Sequence, residues 1–217
     1  MQIDKDTQIL IDERLKNNAP ALESFTPQEL RALRAKMAET PLELRVDISD
    51  VQDLSVKGTL GDIPIRKYFN SSTSDPKHKT SPLIIYFHGG GFVMGDLESH
   101  DLVCRHLCKE AKATVIAVDY KLAPEHKFPT PVIETKDAIT KIFERAEEFN
   151  FDPNKVILCG DSAGGTLATV GTIMSRDNVI PKVHGQILVY PWVDMTMCRR
   201  SMDMELEGMI LNKKTIQ

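Results

Sequence analysis

Four short stretches of the chain are apolar at nearly every position: LIIYF from Leu83 to Phe87, TVIAV from Thr114 to Val118, VILC from Val156 to Cys159 and ILVY from Ile187 to Tyr190. Strands that are apolar on both faces suit a parallel sheet covered by helices on each side. Between these runs the apolar period lengthens to that of a helix, at Asp101 to Ala111, Val132 to Phe149 and Ala163 to Ser175. Strand alternating with helix predicts an α/β fold, an open, mostly parallel sheet with right-handed crossovers and helices on both faces.

The first part of the chain reads differently. Asp4 to Asn17 has a helical pattern, and a second helix is announced by Thr26-Pro27-Gln28-Glu29. Thr26 caps it, Pro27 suits its first position and Glu29 completes a capping box. Leu30, Leu33 and Met37 then fall on one face, and Pro41 ends the run. Leu44 to Ile48 and Ile63 to Tyr68 read as two strands, with Gly58 and Gly61 marking the turn between them. Ser71 to Thr80 is a polar surface loop. The chain therefore divides into an N-terminal helical cap segment, 1–43, and an α/β core, 44–217.

Charge changes the picture mainly by exclusion. With 27 basic and 31 acidic side chains, the net charge of −4 is spread along the 217 residues and leaves no basic footprint for nucleic acid. No apolar run reaches the length of a membrane span, and the N-terminus lacks the layout of a signal peptide. Cys104, Cys108, Cys159 and Cys198 form no Cys-x-x-Cys pair or Cys/His cluster, so no metal and no cofactor is expected, and the expected address is cytoplasmic.

Two glycine-rich clusters stand where chemistry gathers in such sheets, at the carboxyl ends of strands. Gly160-Asp161-Ser162-Ala163-Gly164 follows the Val156 run and matches G-x-S-x-G, a strand-to-helix turn that presents a nucleophilic serine. His88-Gly89-Gly90-Gly91-Phe92 follows the Leu83 run. Its backbone amides, at Gly90 and Gly91 together with Ala163, suit an oxyanion hole, which stabilises charge as it develops on a carbonyl oxygen. No Lys follows as in a phosphate loop, and Met94 breaks a dinucleotide pattern.

HGGGF, then VDYKLAPEHKFP (Val118 to Pro129), then GDSAGG, then QILVYPWVD (Gln186 to Asp194) together resemble the hormone-sensitive-lipase-like family of α/β-hydrolases. The resemblance implies a carboxylesterase that cleaves small-molecule esters through an acyl-enzyme, with an N-terminal helical cap. It also implies Ser162 as nucleophile, Gly90, Gly91 and Ala163 as oxyanion donors, and His88, Gly89 and Asp161 as supports of the loops. In that family the catalytic Asp and His lie in loops after later strands, so both are expected to be missing from a chain cut short at Gln217. His184, the only histidine after Ser162, opens a strand on the order of 20 Å from the elbow. His78, His100, His106 and His126 are given no triad role, and Asp161 is expected to be unable to hold a histidine. The alternatives are a non-catalytic binding or scaffold protein on a hydrolase fold, or an inactive fragment. The Gln186 strand is expected to be an exposed apolar edge that invites self-association.

Overall fold

The computed structural model describes residues 3–37, 44–71, 80–198 and 210–216. Pro41, His78 and most of the Ser71 to Thr80 loop lie outside them. The chain forms two compact units, one of Met1–Ala32 with Asp194–Gln217 and one of Leu33–Val193.

Helix α1 is Lys5–Lys16, capped by Asp4, whose carboxylate accepts from the amides of Asp6 and Thr7. Helix α2 is Pro27–Met37. Its capping box is made as the sequence predicts: Glu29 accepts from the Thr26 amide at 2.7 Å, and the Thr26 hydroxyl accepts from the Glu29 amide at 3.3 Å. Such a reciprocal pair satisfies two of the amides a helix leaves open at its start.

The larger unit is built on a six-stranded sheet: β1 (Asp50–Gly58), β2 (Gly61–Phe69), β3 (Ser81–Phe87), β4 (Thr114–Val118), β5 (Phe151–Asp161) and β6 (Gly185–Val189), in the order β1-β2-β4-β3-β5-β6. β4, β3, β5 and β6 run parallel, while β2 pairs antiparallel with β1 and with β4. Helices α3 (Asp101–Glu110), α4 (Thr130–Glu144), α5 (Ala146–Phe149) and α6 (Ala163–Arg176) lie between the parallel strands in sequence, and a short α7 (Lys213–Ile216) closes the described chain.

The apolar runs divide their side chains by parity. Leu83, Ile85 and Phe87 pack in one cluster with Ile139 and Ile142 of α4 and Leu167 and Ala168 of α6. Ile84 and Tyr86 pack in a second cluster with Cys104 and Cys108 of α3. Each large side chain buried this way contributes about 1.5–3 kcal/mol. The two clusters are the physical meaning of a strand that is apolar throughout.

Two sequence expectations are corrected. Leu44 to Ile48 is not a strand, because the hairpin turn sets the pairing. Thr59 and Leu60 form the turn, Gly58 faces Gly61, and counting back places Asp50 opposite Phe69 at the end of β2. Residues 44–48 then have no strand to pair with in the sheet. The predicted helix from Val132 to Phe149 is two helices, α4 and α5, broken at Arg145 and ended by Asn150 in a left-handed conformation.

Candidate active site

β5 ends at Asp161 and α6 begins at Ala163, so one residue must reverse the chain. That residue is Ser162, with φ 49° and ψ −118°. A side chain held at positive φ in this way costs about 1–3 kcal/mol, and the surroundings must impose it. They do: the Ser162 amide donates to the Val189 carbonyl at 2.9 Å, and the Thr166 hydroxyl donates to the Trp192 carbonyl at 2.6 Å. A side chain at Gly164 would collide with the carbonyl of Phe87, which is why α6 packs so closely on the end of β3. Ser162 is half-buried at the amino end of α6, where the helix dipole favours negative charge.

The loop from His88 to Gly95 rises beside this elbow. Gly90 has φ 123°, and a Cβ there would strike the Met94 carbonyl. The loop closes on itself when the amides of Val93 and Met94 donate to the Gly90 carbonyl, at 3.1 and 3.0 Å. Among the described residues, no acceptor is bonded to the amides of Gly90, Gly91 or Ala163. Three donors without acceptors therefore stand on the loops that follow β3 and β5, at the carboxyl end of the sheet.

Asp161 joins the two loops. One of its carboxylate oxygens accepts from the Gly89 amide at 2.9 Å and the Tyr86 hydroxyl at 2.7 Å, and lies 3.4 Å from Nε2 of His100. Burial pushes the Asp161 carboxyl up, but His100, Tyr86 and the Gly89 amide outweigh that and hold it below its ordinary range. The expectation that the chain offers no catalytic Asp and His is thereby overturned: an interacting aspartate–histidine couple sits directly beside the elbow. Asp161 does hold a histidine, one brought in from the start of α3 rather than from a later loop. His100 is buried, its Nδ1 lies 2.9 Å from the Ser99 hydroxyl, and both ring nitrogens are thus engaged.

A second couple lies under the glycine loop. His88 is buried, its Nδ1 lies 2.9 Å from the Gly89 carbonyl, and its Nε2 is 3.8 Å from Asp119. A carbonyl only accepts, so Nδ1 carries the proton and Nε2 is left as a lone pair. Burial lowers the His88 pKa to about 4, so the ring is neutral at pH 7. Burial, reinforced by Asp96, raises the Asp119 pKa to about 6.

The remaining candidates fall elsewhere. His106, His126 and His184 are exposed, and His184 stands just before β6 with its amide on the Val156 carbonyl. Ser81, a fully buried serine, opens β3 and shares a 2.5 Å hydrogen bond with Thr114. Six residue steps of extended strand separate it from Phe87, about 20 Å, so the serine beside the His100–Asp161 couple is Ser162.

The arrangement matches known proteins. Residues 84–217 fit a family described as having the alpha/beta hydrolase fold. The chain belongs to the α/β-hydrolase family. This α/β-hydrolase is 40% identical over 172 residues to the carboxylic ester hydrolase LipN of Mycobacterium tuberculosis, covering 77% of this chain and 44% of LipN. An arylesterase of Saccharolobus solfataricus is 33% identical over 190 residues, 87% of this chain and 60% of the relative. The chain thus spans roughly half the length of such curated relatives. Among solved structures, an ester-hydrolase from the metagenome of Lake Arreo, complexed with a bipyridine phosphonate derivative, superposes with a TM-score of 0.85 at 31% identity, over 100% of this chain and 68% of that one. An esterase of Pyrobaculum calidifontis gives 0.83 at 32% identity, over 99% and 68%. Among the described residues no helix is long and apolar enough to cross a membrane.

Proposed function

We propose that this α/β-hydrolase is a carboxylic ester hydrolase of the hormone-sensitive-lipase-like branch, with Ser162 as nucleophile and the amides of Gly90, Gly91 and Ala163 as oxyanion hole. One observation carries the reading: a serine held at positive φ at the start of a helix, tied through Asp161 to a glycine loop whose Gly90 and Gly91 amides, like that of Ala163, have no acceptor among the described residues. Attack of the Ser162 oxygen on an ester carbon forms the new C–O bond and pushes the carbonyl π pair onto oxygen. The three amides then meet a full negative charge, each typically worth about 3–4 kcal/mol of barrier. Collapse expels the alcohol, which leaves with the proton that Ser162 gave up. Water attacks the acyl-serine in the same site, releases the acid and returns a proton to Ser162.

Relatives named as ester hydrolase, esterase and arylesterase support a small-molecule ester as substrate. His88, Gly89 and Asp161 serve as loop supports, and the couple with His100 belongs to the same machinery. The division into a cap segment, 1–43, and a hydrolase core, 44–217, is part of this reading. So is a cytoplasmic address, which fits four free thiols. Self-association of the 217-residue chain is part of it too: β6 is the last strand of the sheet, and Ile187, Val189 and Tyr190 beside its edge are exposed. Light scattering on the purified chain tests that last point.

The deciding experiment is turnover of a short-chain p-nitrophenyl ester by wild type and Ser162→Ala. The variant is expected to lose at least ~10⁴-fold in kcat, the scale seen when a serine nucleophile is removed. Wild-type turnover in Ser162→Ala would overturn the reading.

A further inference from the structure

The peptide unit between His88 and Gly89 is held at both of its polar ends. Its N–H donates to Asp161 at 2.9 Å, and its C=O accepts from the hydroxyl of Tyr120 at 2.7 Å. Tyr120 follows β4 by two residues and is buried, with its ring stacked on His88 at 4.3 Å between centroids and 12° between planes. Burial raises its phenol pKa, so the hydroxyl keeps its proton and remains a donor. The carbonyl it grips is also packed against Gly164 at the start of α6.

A peptide is planar, so fixing its N–H and its C=O fixes the direction in which the chain enters the next residue. The next residue is Gly89 itself, whose carbonyl is held in turn by His88 Nδ1 at 2.9 Å, and the peptide so fixed carries the Gly90 amide, with Gly91 following. We infer that Tyr120 is a positioning residue for the oxyanion hole. It acts with Asp161 to lock the His88–Gly89 peptide, so that the amides of Gly90 and Gly91 are aimed before substrate arrives. The inference rests on the oxyanion role proposed above. Asp161 alone leaves the plane free to tilt about the hydrogen bond at its N–H; the Tyr120 hydroxyl removes that freedom.

Tyr120→Phe deletes the hydroxyl and keeps the stacked ring. In the intact protein kcat should fall about tenfold, the effect of one buried hydrogen bond lost from a preorganised site. KM should stay within about twofold, because the amides act on charge present only in the transition state. A structural role alone would lower the melting temperature and leave kcat per folded molecule unchanged, and that result would overturn the inference. Hydrogen exchange reads the same lock without turnover: the Gly89 amide, bonded to Asp161, should exchange faster in Tyr120→Phe than in wild type, and an equal rate would also overturn it. Wild-type protein without Ser162-dependent turnover would defeat the esterase reading instead, while the exchange comparison would still decide whether Tyr120 holds the loop.

Discussion

Ser81 and Ser162 belong to neighbouring strands at opposite ends of the same sheet, and the comparison shows how differently one fold holds two hydroxyls. Ser81 lies in extended backbone at the start of β3, is 1% exposed, and has its hydroxyl tied to Thr114. Its hydrogen bond is made and its strain is nil, so it belongs to the packing. Ser162 stands past the end of β5 at positive φ, half-buried, followed directly by the unbonded amide of Ala163. One end of the sheet satisfies its polar groups, and the other leaves donors open and stores strain to do so. In open α/β sheets that unfinished end is where ligands bind.

The comparison breaks most visibly at the donors. Gly90→Val places a side chain against the Met94 carbonyl at a φ of 123°, so the loop must move and its amides with it. A fall of about 10²–10³ in kcat with little change in KM is expected from steady-state kinetics. A rise in KM alone would mean that Gly90 contacts the ground state only.

His100→Ala should act next. His100 is the histidine of the couple beside the elbow, paired with Asp161, and its loss should lower kcat at least tenfold. An unchanged kcat would remove the couple from the machinery.

The smallest effect is on stability. His88 is neutral in the fold with a pKa of about 4, against 6.5 when exposed. Between those values the unfolded chain binds a proton that the folded chain refuses, so acidification from pH 6.5 to 4 removes stability, up to about 3 kcal/mol. Asp119, raised to about 6, works in the opposite direction, since the fold takes up a proton there as pH falls below 6. Urea titrations of His88→Gln across this window should show a flatter acid-side loss than wild type. An unchanged slope would place the proton refusal elsewhere.

The strands of the parallel sheet were legible because full burial writes itself as an unbroken apolar run, and the caps of α2 because Thr26 and Glu29 sit three residues apart. β1 was not legible, because its position is fixed by pairing with β2 rather than by its own apolar content. The two loops could be read from their glycines, since close approach leaves a mark in composition. The couple between His100 and Asp161 could not: the partners are far apart in sequence, and only the docking of α3 under the elbow brings them together. Tyr120 was hidden for the same reason, since it acts through a carbonyl, which carries no residue identity. An N-terminal signal for His100 existed in its place just ahead of α3, but nothing in the chain says which loop that helix start will meet.

Covalent labelling tests the central contrast most directly. Wild-type protein treated with an aryl phosphonate ester, digested and sequenced by mass spectrometry should carry the phosphonyl group on the peptide containing Ser162 and none on the peptide containing Ser81. Modification of Ser81, or no serine adduct despite ester turnover, would contradict the account.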